Sequence, residues 1–240
     1  MGKLSKESSF DDITAVIPTL NERENIGILI RYIEEHYKSM RIMVVDDGSS
    51  DGTKDVVAKA AKKYRNVIFI DRKAMHMQKG LTASIVHGIT SAKTRFVIVM
   101  DADMQHPPEI IGKIAQKLRD CNIVVATRAS VKNWALYRKI ISKSMIYLGY
   151  AILVLRNAER CSDIFSGYFG VDRKLFAEVY ARNKERFVPY GYKALYDFLK
   201  CIKRGQTGIC EVPYDFRIRE KGSSKAGIKQ GIALFKSFFS

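Results

Sequence analysis

Phe96-Val97-Ile98-Val99-Met100-Asp101-Ala102-Asp103-Met104-Gln105 passes in one step from an unbroken apolar run to two carboxylates. A strand that is apolar throughout, rather than at alternate positions, is buried on both faces, as in a parallel sheet covered by helices. The pattern recurs at Ile13-Thr14-Ala15-Val16-Ile17, Ile42-Met43-Val44-Val45, Val67-Ile68-Phe69-Ile70 and Ile123-Val124-Val125-Ala126. Between these runs Ile26, Leu29, Ile30, Ile33 and Tyr37 hold one face of a helix, and Val56, Val57, Ala60, Ala61 and Tyr64 mark another. Residues 81–91 and 108–119 read as two more. Asn21, with Glu24 three residues on, predicts the N-cap of the first helix. Alternating strand–helix units imply an open, mainly parallel α/β sheet, which binds ligands outside the carboxyl ends of its strands. The polar turns after the first, second and fourth strands lie at that edge.

After residue 127 the rhythm breaks. A basic and apolar segment over 130–160 precedes a short strand at 168–171, helices near 172–182 and 191–203, a strand at 207–212 and a basic tail. No repeat or low-complexity linker divides the chain. One domain is therefore expected over 12–225, with halves 12–127 and 128–225, after a loose 1–11 and before an amphipathic 226–240. The 240 residues carry a net charge of +16, with 47% apolar side chains, which excludes a disordered chain and a multi-span membrane protein. The charge is uneven: residues 1–120 contribute +3 and residues 121–240 contribute +13. An acidic partner is expected to meet the second half. Cys121, Cys161, Cys201 and Cys210 show no CxxC or zinc-like spacing and read as reduced thiols, and the N-terminus has no signal-peptide core.

Asp101 and Asp103, one residue apart on backbone leaving a strand, can approach one hard cation from the same side, and Mg2+ or Mn2+ accepts such oxygen ligands with substrate phosphates completing the shell. The plain alternative is an acidic turn. Asp46-Asp47 before Gly48 carries the same choice, between a turn and a contact to the ribose or base of a nucleotide. His76 and His106 have no second histidine at chelating spacing and are set aside as ligands.

Six ordered stretches carry a resemblance. Ala15–Glu22 (AVIPTLNE), Val45–Thr53 (VDDGSSDGT) and Met100–Pro108 (MDADMQHPP) resemble the family 2 glycosyltransferases of the GT-A fold. Arg138–Ser142, Ser162–Phe169 and Glu211–Tyr214 with Arg219, Gly222, Ser224 and Lys225 narrow this to the dolichol-phosphate mannose synthases and related polyprenyl-phosphate glycosyltransferases. The resemblance implies that Pro18, Leu20, Glu22, Val45, Asp47, Asp101, Ala102 and Asp103 hold the nucleotide. It implies that Asp101, Asp103 and Gln105 bind Mg2+ or Mn2+. Arg128, Arg138, Ser142, Arg219 and Lys225 would gather round the diphosphate and the acceptor phosphate, with Asp103, Arg219 and Lys225 central to catalysis. Leu20 stands where the family carries tyrosine, Lys79-Gly80-Leu81-Thr82-Ala83 replaces a Gly-Leu-Gly-Thr-Ala stretch, and Ile164 replaces a proline.

The implied activity is inverting, metal-dependent transfer of a hexose, mannose from GDP-mannose or else glucose from UDP-glucose, to dolichyl or polyprenyl phosphate. An acceptor phosphate is ionised at neutral pH and needs no general base. Transfer to a hydroxyl would need one, for which Asp163 and Asp197 are the available carboxylates. Met145–Leu155 is too short to span a bilayer and is either a core helix or an interfacial one between basic flanks. Gly227–Phe239 reads as a second interfacial helix or as a stub before membrane segments. The expected location is the cytoplasmic face of a membrane, with the membrane surface as a partner. Nucleic acid is not an expected partner, because no RNP, KH or zinc-finger signature accompanies the charge.

Overall fold

The computed structural model describes residues 9–131, 136–217 and 228–240, without the side chains of 130–143, 228–232 and 234. Expectations for Arg219 and Lys225, and for the side chains of Arg138 and Ser142, lie outside the described residues. Seven strands form one sheet: β1 (Ile13–Thr19), β2 (Arg41–Asp46), β3 (Val67–Asp71), β4 (Phe96–Val99), β5 (Ile123–Val131), β6 (Phe169–Asp172) and β7 (Ile209–Phe216), in the order β3-β2-β1-β4-β6-β5-β7. The first four are mutually parallel, β7 is parallel to β5, and β6 runs antiparallel between β4 and β5. The expected open, mainly parallel sheet is thus present, with one reversed strand.

All seven positions of β1 are buried, and its side chains serve two cores. Ile13, Ala15 and Ile17 pack with α1 (Arg23–His36), α2 (Thr53–Lys63) and α4 (Ile111–Lys117). Val16 packs on the other face with α3 (Leu81–Ser91), α6 (Arg173–Arg182) and α7 (Ala194–Leu199). Burial on both faces is the physical reason the strands read as unbroken apolar runs. Reversed β6 fits through Gly170, where a Cβ would lie 2.7 Å from Ile114 Cγ2 and 2.8 Å from Leu118 Cδ1 of the neighbouring helix.

Several local expectations change. Asn21 has φ +53° and does not cap α1; its side-chain oxygen accepts Ser50 N at 2.8 Å, and Glu22 takes the cap position. Asp51 ties both helix starts instead, accepting Arg23 N at 3.0 Å and Thr53 N at 2.9 Å. The helix expected over 191–203 is confined to α7, because the preceding loop is held to α3. Cys121 and Cys210 are disulfide-bonded, 89 residues apart in sequence, so the reading of four reduced thiols is corrected. Residue spacing carries no trace of that pairing: neighbouring parallel strands β5 and β7 bring the two together.

The apolar run 145–155 lies in α5 (Leu136–Leu155) and is neither wholly core nor wholly exposed. Gly149 and Leu153 are buried, whereas Tyr147 is 73% and Leu155 85% exposed. α8 (Ile228–Phe239) buries Phe238 against Phe165 and Tyr196 and leaves Phe235 and Phe239 exposed. Among the described residues no helix is long and apolar enough to cross a membrane.

Candidate active site

The carboxyl ends of β2, β1 and β4 are adjacent in the sheet, so the three acidic turns meet at one edge, where the strand order reverses direction. Pro18 and Val45 are register partners, as are Thr19 and Asp46. Leu20 is exposed at this edge and Glu22 is buried beside it, its Oε2 accepting Asn25 Nδ2 at 2.9 Å. The two acids of the β2 turn have separate tasks. Asp46 builds the turn: Oδ1 accepts Gly48 N at 2.9 Å and Ser49 N at 2.8 Å, and Oδ2 accepts Thr19 Oγ1 at 3.0 Å. Asp47 accepts Arg72 Nη1 at 2.5 Å and Gly80 N at 2.7 Å.

Arg72, which sequence reasoning missed, is among the largest fully buried side chains. It also donates to Ser84 Oγ at 2.7 Å and Gln78 O at 2.5 Å. Burial lowers its pKa from the usual value, opposed by the Asp47 charge and hydrogen bond. Through Nη1 and Nη2 the guanidinium neutralises the carboxylate and fixes the loop between β3 and α3, while among the described residues its buried Nε has no hydrogen-bond partner. Gly80 is required in that loop: its φ is +144°, and a Cβ would lie 2.1 Å from Pro189 O. The same contact region lets Pro189 O accept Ala83 N and Gly191 O accept Thr82 N, both at 3.0 Å.

Asp101, Ala102 and Asp103 follow β4. Asp103 is buried and its Oδ1 accepts Gln105 N at 3.1 Å. Gln105 is tied to the end of β7, its Nε2 donating to Arg217 O at 3.0 Å and its carbonyl accepting Arg217 N at 3.1 Å. Arg217 precedes Arg219 by two residues. His106 supports Asp101: the Asp101 N–H donates to His106 Nδ1 at 3.0 Å, which places the imidazole proton on Nε2. The ring is stacked on Tyr168, and burial pushes its pKa down to about 4, so it is neutral. His106 thus holds the backbone of Asp101 in place. Among the described residues no three His, Cys, Asp or Glu side chains converge on one point. Two carboxylates on one loop are nevertheless what a Mg2+ or Mn2+ site asks of a protein when phosphate oxygens and water complete the shell. The donor chemistry of Asp101 and Asp103 fits such an ion.

On the far side of this loop, under β5, β6 and β7, a cavity of about 140 Å³ is lined by Asp101, Arg128, Phe165, Lys193 and Tyr214, among others. Arg128 is spent on Asp163, donating through Nε at 2.7 Å and Nη2 at 2.8 Å. Burial works against both charges, but the pairing outweighs it, raising the Arg128 pKa and lowering that of Asp163. Lys193 differs. Its Nζ donates to Phe165 O at 2.9 Å, and among the described residues no carboxylate lies within 4.0 Å of it. Burial, with the charge of Arg128, lowers its pKa to about 8, against the opposing charges of Asp163 and Asp101. The Tyr214 hydroxyl is buried with no hydrogen-bond partner among the described residues. A buried polar atom without a partner costs roughly 1–3 kcal/mol, which a ligand can relieve. No motif marked Lys193 or Tyr214 individually: Lys193 is one of 41 basic residues, placed by the loop that Pro189 and Gly191 dock on α3.

Asp197, the other carboxylate considered as a base, is deep inside the second half. It pairs with Lys200 Nζ at 2.8 Å, accepts from Ser237 Oγ and accepts Val188 N at 3.1 Å.

The family model for glycosyl transferase family 2 matches residues 14–180. A dolichol-phosphate mannosyltransferase of Pyrococcus furiosus is 34% identical over 89% of this chain, which spans 58% of that protein's length. The dolichol-phosphate mannosyltransferase of Mycosarcoma maydis is 30% identical, covering 95% of this chain and 77% of that protein. Among solved structures, glucosyl-3-phosphoglycerate synthase of Mycobacterium tuberculosis superposes with a TM-score of 0.66 over 95% of this chain and 80% of that one, at 16% identity, and shares the fold. Related crystals of that enzyme contain Mn2+ and UDP-glucose.

Proposed function

The chain belongs to glycosyl transferase family 2, and from that premise we propose that it transfers mannose from GDP-mannose to a dolichyl or other polyprenyl phosphate, with inversion. The observation that carries the proposal is the meeting of two unlike surfaces at one sheet edge. Acidic turns suited to a nucleotide and a divalent ion stand next to a cavity whose Lys193 charge has no carboxylate partner among the described residues. The names of the Pyrococcus and Mycosarcoma relatives support the sugar and the lipid.

In the proposed reaction an acceptor phosphate oxygen forms a bond to the anomeric carbon as the bond from that carbon to the nucleoside diphosphate breaks. The oxygen is already ionised, so no proton has to be removed. Asp101 and Asp103, with Gln105 beside them, would hold Mg2+ or Mn2+, which supplies positive charge to the departing diphosphate. Pro18, Leu20, Glu22, Val45 and Asp47 line the donor side, Asp47 through the loop it fixes. Arg138, Ser142, Arg219 and Lys225 are proposed for the phosphates, whereas Arg128, expected among them, is tied to Asp163. Residues 12–127 then serve the donor and 128–225 the acceptor. A hydroxyl acceptor is disfavoured on chemistry, since Asp163 is locked to Arg128 and Asp197 to Lys200.

Exposed Tyr147, Leu155, Phe235 and Phe239 suit a bilayer surface, and the net charge of +16 suits an anionic, cytoplasmic leaflet. Residues 226–240 would lie at that surface. Flotation with anionic liposomes should recover the chain, less of it at high salt; recovery in the unbound fraction alone would remove the membrane from the proposal. The activity is tested by offering GDP-mannose, UDP-glucose and other nucleotide sugars with dolichyl phosphate and Mn2+, then identifying the glycolipid. Mannosyl phosphoryl dolichol is expected. Glucose transfer from UDP-glucose, or no lipid product from any donor, would overturn it.

A further inference from the structure

We infer that Lys193 and the Tyr214 hydroxyl form the seat of the acceptor's phosphate, in the cavity on the far side of Asp101 from the nucleotide turns. This deepens the proposed function and rests on it. Of the cations lining the cavity, Arg128 already has a bidentate carboxylate, so a second anion gains little from it. Among the described residues Lys193 makes one neutral hydrogen bond, to Phe165 O, and an ammonium has three N–H donors. Two donors therefore remain for a ligand. Tyr214 packs on Tyr168 and His106, and its hydroxyl lies in the fields of Arg128, Asp163, Asp101 and Asp103 yet hydrogen-bonds none of them. Two under-used donors, one of them charged, ask for an anionic acceptor of hydrogen bonds.

Position decides which anion. The donor's nucleotide turns follow β1 and β2, whereas the cavity lies under β5, β6 and β7, and Asp101 stands between. A group seated on Lys193 is thus on the opposite side of the diphosphate site from the nucleoside, where the incoming nucleophile must be. Phe165 and Tyr192 carry the Lys193 ammonium near their rings, at 5.7 and 4.6 Å from the centroids, and give the cavity apolar walls for the first carbons of an isoprenyl chain. The seat is held rigidly from behind, because Pro189 and Gly191, just before Lys193, accept hydrogen bonds from the first turn of α3.

The test measures binding of farnesyl phosphate, inorganic phosphate and GDP to the parent chain, to Lys193→Met and to Tyr214→Phe by calorimetry with Mn2+ present. Lys193→Met should weaken farnesyl phosphate about tenfold or more, and inorganic phosphate in the same direction, because each loses a charge-assisted hydrogen bond. Tyr214→Phe should weaken farnesyl phosphate about threefold to tenfold while melting at the parent temperature or above, since its hydroxyl has no partner to lose. GDP affinity should change less than about twofold in both. Unchanged farnesyl phosphate binding in Lys193→Met, or an equal loss for GDP, overturns the inference. A loss for farnesyl phosphate with none for inorganic phosphate also overturns it, since the contact would then be to the chain and not to the phosphate. If the parent binds farnesyl phosphate at this seat but transfers no sugar to it, the proposed function fails and the seat stands. If it transfers sugar and Lys193→Met does so equally well, the seat fails and the function stands.

Discussion

The edge proposed for the donor and the cavity proposed for the acceptor each hold a cation, Arg72 fully buried and Lys193 half-buried, and they use them in opposite ways. Arg72, under the β2 turn, is matched by Asp47, Ser84 and the Gln78 carbonyl before any substrate arrives. Lys193, under β6 and β7, has a single carbonyl among the described residues. A cation neutralised by its own carboxylate makes a rigid wall; one with no carboxylate beside it among the described residues holds its charge for a ligand. On the proposed function, the difference makes the first half a platform neutralised in advance and leaves the second half to be completed by the molecule it receives.

The largest effect that would sharpen this contrast lies between the two regions. Asp101→Ala or Asp103→Ala should lower transfer about a thousandfold or more, ~4 kcal/mol of barrier, with the melting midpoint little changed. Activity surviving in either variant with excess chelator would remove the metal from the account.

Next in size is the platform itself. Arg72→Met leaves the Asp47 charge buried beside Ser84 and should cost about 3–4 kcal/mol of stability in urea unfolding. Lys193→Met, with no carboxylate to strand among the described residues, should cost no more than about 1 kcal/mol, for its bond to Phe165 O. Equal losses in the two variants would erase the distinction between wall and seat.

A third experiment concerns the tether joining β5 to β7 at the end away from the cavity. Replacing Cys121 with Ser opens the Cys121–Cys210 link, which closes a span of 89 residues, and should lower stability by about 2–4 kcal/mol. Turnover should hold, since Arg128 and Tyr214 lie toward the other end of those strands. In a reducing compartment the link would be open, and the same variant describes that form. A large loss of turnover would show that the acceptor half depends on the tether for its geometry.

The smallest effect is a pH profile. Burial lowers the Lys193 pKa from 10.5 to about 8, in the company of Arg128, Asp163 and Asp101. The protonated form binds phosphate, so acceptor affinity is full below about pH 8 and falls as pH rises through it, by up to about tenfold per unit. Farnesyl phosphate KM measured from neutral to alkaline pH should rise in the parent and stay flat in Lys193→Met. Matching profiles would sink the assignment.

The same contrast governs how much was legible in the sequence. Strands β1 to β4 announced themselves because burial on both faces demands apolar residues at nearly every position, and their acidic turns follow at fixed spacing. The reversal of β6 did not, since strand order and direction leave no periodicity; only Gly170, where α4 crowds the strand, marks it. Asp46 and Asp47 look alike in sequence and differ only through partners, one bonded to its own turn and the other to Arg72. Arg128 and Asp163 are 35 residues apart, so the neutralisation of the most conspicuous cation in the second half was invisible. The role proposed for Lys193 rests on its having no carboxylate partner among the described residues, a property of three-dimensional neighbours and not of motif.

Transfer from GDP-mannose, with Mn2+, to farnesyl phosphate and to farnesol in parallel is the most direct test, because the two acceptors share the chain and differ in the phosphate. The account expects a mannosyl phosphate product from the first and none from the second. Comparable transfer to farnesol would contradict it, for it would mean that the second half supplies a base to a hydroxyl and that the charge of Lys193 is not kept for a phosphate.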